Sequence, residues 1–227
     1  MPEKQPDFWA GVRAEFPLLV GVIPFGLIYG VLAINAGLTP AAAQGMSSIV
    51  FAGSAQFLAA ELVHDAAPGL IIVLTIAVVN LRHMLYSASL APYVKHLSTR
   101  WKALLAYLLT DEAYAVTVTH YEKEGITPHA HWYFLGAGLA LWSTWQASTA
   151  VGIFLGATLP SDWPLDFALP LTFIAIVAPV LKDRPAIAAA ISAGIVALLA
   201  YGLPYKLGLI CAALVGIAIG TLLELRK

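Results

Sequence analysis

An all-α polytopic membrane protein is the fold class this sequence predicts, on three observations. Of its 227 residues, 60% are hydrophobic and 11% charged, where a soluble domain carries about 25% charged residues. Long stretches hold no charge at all: Phe16 to Ala60, Trp132 to Ser161, Pro185 to Leu203 and Leu207 to Leu223. The charges that do interrupt apolar sequence, Arg82 and the adjacent Asp111 and Glu112, sit where insertion of a lone charge costs about 2.5–3.5 kcal/mol. Such charges persist when they have a partner, a wet cavity or a place on a transport path.

A membrane-spanning helix needs about 20 apolar residues. Segments near that length are 16–36, 41–62, 67–92, 103–121, 132–158, 165–181, 185–203 and 206–224. The expectation is therefore seven or eight hydrophobic segments in a single domain, residues 1–227. Met1 to Glu15 is polar and mixed in charge. It lacks the apolar core and cleavage site of a signal peptide, so it reads as a cytoplasmic N-terminus ahead of an uncleaved signal-anchor. Gly21, Pro24, Gly26, Gly30, Gly45, Gly53, Pro170, Pro179 and Gly194 fall inside the segments. Small residues permit close helix approach, and proline kinks or breaks a span.

Lys and Arg mark the cytoplasmic side. With eight full crossings, Lys95, Arg100, Lys102 and Lys206 lie outside. If the second and fourth segments dip in and return, only Lys206 does. Both topologies, and odd-numbered ones with one segment not spanning, stay open. Broken or re-entrant helices that meet at a midplane site are a known transporter device.

Several classes are disfavoured. Net charge is −1 with no basic cluster, which argues against nucleic acid. No nucleotide-binding P-loop pattern occurs. Cys211 is the sole cysteine, so neither an intrachain disulfide nor a Cys-based metal site is available. His120, His129 and His131, with Glu122 and Glu124, lack tight ligand spacing and read as a solvated connecting loop. No metal or cofactor is expected. An intramembrane enzyme would need a nucleophile pattern that Ser54 does not offer.

Five constellations interrupt the apolar background. In Gly21-Val22-Ile23-Pro24-Phe25-Gly26, proline frees a carbonyl and glycine lets a ligand approach; a kinked helix packed through glycine is the plainer reading. In Phe51-Ala52-Gly53-Ser54-Ala55-Gln56-Phe57, Ser54 and Gln56 offer donors and acceptors for a zwitterion, or serve as interhelical glue worth about 0.6 kcal/mol per contact. In Asn80-Leu81-Arg82-His83-Met84-Leu85-Tyr86-Ser87, Arg82 can hold a carboxylate in a forked contact, or latch onto Asp111 or Glu112. His83 can carry a proton. In Leu109-Thr110-Asp111-Glu112, neighbouring carboxylates suit proton coupling, and a helix-terminus acid facing water is the alternative. In Trp142-Ser143-Thr144-Trp145-Gln146-Ala147-Ser148-Thr149, Trp142, Trp145 and Thr149 share a face and line a pocket or pack a core.

Taken in order, these motifs resemble the AzlC family, the large subunit of LIV-E type branched-chain amino-acid exporters. The resemblance rests on Pro24-Phe25-Gly26, Phe51 to Phe57, Leu81 to Tyr86, Leu109 to Glu112, Trp142 to Trp145, and Phe167-Ala168-Leu169-Pro170, and covers nearly the whole chain. Asn80 departs from the pattern, in which an acid precedes the Arg-His pair. The resemblance implies an inner-membrane permease, not an enzyme, that exports valine, leucine and isoleucine, with methionine as an outlying substrate. It also implies proton coupling and a small AzlD-type membrane subunit.

The resulting expectation is a substrate held near the midplane. Pro24, Phe25, Gly26, Ser54, Gln56, Phe57, Arg82 and Trp145 would contact it, with segments one and two broken around it. His83, Asp111 and Glu112 would handle the proton. A non-transporting assembly subunit is the alternative.

Overall fold

The structure is a computed structural model that describes residues 4–125, 127, 129–158, 181, 183–204 and 207–225. Among the described residues there are ten helices and no strand. The expected sixth segment, the Phe167-Ala168-Leu169-Pro170 motif and Pro179 lie outside the described residues, Leu181 excepted. The chain forms two compact units, one from Met1–Glu61 and Val79–Ser161, the other from Leu62–Val78 and Asp162–Lys227.

The first unit is built on two long helices, α1 (Lys4–Asn35) and α8 (Ala130–Gly156). Segment one is not broken, contrary to expectation: α1 runs through Pro17 and Pro24. Proline removes one backbone bond and the remainder of a 32-residue ladder holds. Glycine brings α1 and α8 together. A Cβ on Gly11 would lie 2.1 Å from the Tyr133 carbonyl oxygen, and one on Gly152 would lie 2.2 Å from that of Leu27. Backbone meets backbone along this seam, the small-residue packing expected where lipid gives no hydrophobic drive. Gly37, at φ 89°, turns the chain after α1.

The second segment breaks as anticipated, into α2 (Pro40–Ile49) and α3 (Gly53–His64). Thr39 caps the start of α2 by accepting from the Ala42 N–H at 3.2 Å. The break carries backbone carbonyls that helix no longer satisfies, and in an apolar setting each unpaired group costs several kcal/mol. Gln56 supplies the partner: its Nε2 donates to the carbonyls of Ser47, at 3.3 Å, and Val50. The third segment also breaks, which the sequence did not foretell, into α4 (Gly69–Val79) and α5 (Arg82–Val94). The fourth divides into α6 (Thr99–Tyr107) and α7 (Asp111–Glu124), with the intervening Leu108, Leu109 and Thr110 buried. Thr110 caps α7 by accepting from the Ala113 N–H. α7 extends through His120, Glu122 and Glu124, so the expected loop there is largely helix; His120 stacks on Tyr133.

In the second unit, α9 (Arg184–Leu199) and α10 (Leu207–Glu224) pair through Gly208, Gly216 and Gly220. Asp183 caps α9 by accepting from the Ala186 N–H at 2.8 Å.

Among the described residues, two helices are long and apolar enough to cross a membrane: α1 from Asp7 to Asn35, and α10. A third appears if α4 and α5 form one broken span. That is fewer than the seven or eight segments expected, of which the sixth lies outside the described residues. Breaks cut three segments into shorter helices, and the polar residues of α8 dilute its apolar length.

Candidate functional site

Three helix starts meet at one arginine. Ser54 lies in the first turn of α3, Arg82 opens α5 and Asp111 opens α7. Arg82 Nη1 donates to Asp111 Oδ2 at 2.5 Å, and Nη2 donates to Ser54 Oγ at 2.8 Å. The Arg82 and Asp111 side chains are 30% and 42% exposed, so this pair is worth little as a structural clamp, about 0–1 kcal/mol. Arg82 Nε and Asp111 Oδ1 are buried outside the bonds just described, and the Tyr86 hydroxyl also interacts with the Asp111 carboxylate. A helix start presents free N–H groups and partial positive charge. A guanidinium among three such starts suits a carboxylate, and the Asp111 carboxylate suits an ammonium.

Around this centre, His83 Nδ1 lies 3.3 Å from the Asn80 carbonyl oxygen, and its ring meets Tyr86 edge-on. Tyr86 stacks on Tyr114 with centroids 4.6 Å apart, which ties α5 to α7.

An aromatic cluster forms a second group. Phe57 meets Phe25 and Tyr29 edge-on, each at 6.1 Å, and Tyr29 stacks on Trp145 at 6.2 Å. Trp145 Nε1 donates to Ser47 Oγ at 3.0 Å. The first turns of α3 carry both groups. Gly53 adjoins the Trp145 ring, where an added Cβ would lie 3.0 Å from Cη2. Ser54 bonds Arg82, and Phe57 enters the aromatic cluster.

A polar seam holds the α2 end against α8. Gln44 Nε2 donates to Gln146 Oε1 at 2.6 Å, and Ser48 Oγ donates to the same oxygen at 3.1 Å. Gln146 Nε2 donates to the Ser47 carbonyl at 3.1 Å. Trp142 Nε1 donates to Tyr107 Oη at 2.7 Å, and that hydroxyl donates to the Ser48 carbonyl at 2.6 Å.

The residues singled out by sequence therefore divide. Ser54, Arg82 and Asp111 come together, and Phe25, Phe57 and Trp145 form the neighbouring cluster. Pro24 is exposed, whereas Gly26 is buried with Ser148 where a Cβ would go. Gln56 is fully buried and its amide satisfies the α2–α3 break. Glu112 adjoins the Thr110 hydroxyl and interacts electrostatically with Glu15 on α1.

Glu15 is the residue that sequence reading passed over. Grouped with the polar N-terminus, it instead lies about three turns inside α1, which starts at Lys4. It is 0% exposed, and neither carboxylate oxygen has a partner. A signal existed. Gly11, Glu15, Val22, Gly26, Tyr29 and Ala33 are all buried, and their spacings of four, seven, four, three and four place Glu15 on the packed stripe of the helix.

Comparison with known proteins finds relatives that are named as membrane proteins. An uncharacterized membrane protein of Archaeoglobus fulgidus is 34% identical over 218 residues, covering 94% of each chain. The Escherichia coli inner membrane protein YgaZ is 25% identical, covering 91% of this chain and 88% of its own. The Bacillus subtilis branched-chain amino acid transport protein AzlC is 27% identical, covering 76% of this chain and 69% of its own. No solved structure matches. The AzlC protein family matches residues 17–159, which contain Ser54, Arg82, Asp111 and Trp145. With that match over more than half its length, this chain belongs to the AzlC protein family.

Proposed function

We propose that this chain is a secondary transporter in the inner membrane that exports branched-chain amino acids. It works with a small AzlD-type membrane subunit and is driven by the proton gradient. One observation carries the reading: Arg82 bonds both Ser54 and Asp111 where α3, α5 and α7 begin. The substrate carboxylate takes the guanidinium and the helix N–H groups in competition with Asp111. Its ammonium takes the Asp111 carboxylate. Phe25, Phe57 and Trp145 supply the apolar wall for valine, leucine or isoleucine. Asp111 and Glu112, with His83 beside Arg82, make the site responsive to protonation. The name of the Bacillus subtilis relative supports the substrate class.

Reconstitution in liposomes, with and without the small subunit, tests this. Valine efflux under an imposed proton gradient is expected with both subunits, and is expected to be abolished by the double change Asp111→Asn, Glu112→Gln at unchanged protein level. Full gradient-driven efflux in the double variant removes the proton role from these acids. No amino-acid flux in any combination favours an assembly subunit whose Arg82–Asp111 pair only docks helices.

A further inference from the structure

We propose that Glu15, buried without a partner on α1 within electrostatic reach of Glu112 on the neighbouring α7, is the group that binds and releases the coupling proton. This rests on the transporter reading above and assigns its proton site to a residue two positions ahead of the stretch that matches the family.

Glu15 lies in a helix long and apolar enough to span a membrane, is 0% exposed, and has no partner on either carboxylate oxygen. Enclosing an ionised carboxylate without compensation costs several kcal/mol. Among the described residues no cation forms an ion pair with Glu15; the pair there joins Arg82 to Asp111. Arg13, on the same helix, is exposed. The groups interacting with Glu15 from the neighbouring helices are Glu112 on α7 and Tyr133 on α8; α2, also packed on α1, carries no charged residue. A second carboxylate adds to the cost instead of relieving it. A proton neutralises Glu15 without the volume or coordination shell a metal cation needs.

The position also links proton to cargo. Glu112 directly follows Asp111 in the first turn of α7. Charge gained or lost by the Glu15 and Glu112 pair therefore acts one residue away from the Arg82–Asp111 contact. In the loaded state Glu15 holds the proton on a carboxyl oxygen. On release the charge returns beside Glu112, and the pair repels until reprotonated.

The test is proton movement per valine in liposomes that contain the chain and its small subunit, in sodium-free medium, read with an entrapped pH dye and labelled valine. In Glu15→Gln the proton-to-valine ratio is expected to be lost, falling toward zero. A wild-type ratio in that variant overturns the assignment, as does a sodium requirement in the wild type that Glu15→Gln removes. If Glu15→Gln does not accumulate, Glu15→Asp serves. It retains a carboxyl at altered reach, so its transport pH profile is expected to be displaced, and an undisplaced profile overturns the proposal. Absence of valine flux in the wild type both with and without added sodium sinks the transporter reading as well, whereas flux restored by sodium overturns only the proton assignment, so the two failures are distinguishable.

Discussion

The α1–α8 pair and the α9–α10 pair use the same packing device to different ends. In both, small residues let helices approach closely. A Cβ on Gly152 would lie 2.2 Å from the Leu27 carbonyl oxygen, and one on Gly216 would lie 3.0 Å from the Ala193 Cβ. The α9–α10 pair buries Pro185, Gly208, Ala212 and Gly216. The α1–α8 pair buries Glu15, Tyr29, Trp145, Ser148 and Thr149 as well. Close approach is thus a general solution to helix pairing in lipid, and it makes no site by itself. Chemistry arises where polar groups are added to such a seam and neighbouring helices break around it.

The most severe way to break this contrast is Arg82→Lys. An ammonium lacks the planar fork that reaches Asp111 and Ser54 together. Valine efflux is expected to fall about 100-fold, equivalent to about 2.7 kcal/mol, with little change in thermal stability because the pair is half exposed. Unchanged efflux would reduce the pair to a helix latch.

A second intervention sharpens the packing half of the comparison. Gly152→Ala forces a methyl into backbone that cannot move aside, and a loss of about 1–3 kcal/mol is expected. Gly194→Ala in α9 meets nothing within 4 Å and should stabilise the helix by about 0.5–1 kcal/mol. Thermal unfolding in detergent ranks the two, and equal effects would show that the α1–α8 seam is not close-packed. Another small effect is expected from Trp145→Phe, which keeps the ring contact with Tyr29 but removes the bond to Ser47. A loss of about 1 kcal/mol follows, and an unchanged melting temperature would mean that the bond adds nothing to the seam.

Much of this architecture was legible in advance. Apolar runs announced helices, and the breaks in the second and fourth segments fell where Gly53, Ser54, Asp111 and Glu112 interrupt the pattern. The break before Arg82 was missed, because Gly69 to Leu81 reads as continuous apolar helix until the charge arrives. Pro24 misled in the other direction: a proline signals a lost hydrogen bond, but whether the helix stops depends on what holds the rest of it. Glu15 was hidden by assuming that a helix begins where charges end.

From sequence alone come the helical class, the scarcity of charge and the family motifs, because each is written in local composition and spacing. Tertiary structure alone decided that Arg82 joins Ser54 to Asp111, that Gln56 closes a helix end, and that Glu15 is enclosed without a partner. Those outcomes depend on which backbone groups and charges from distant segments meet at the same depth, and burial sets their energy only once the helices have packed.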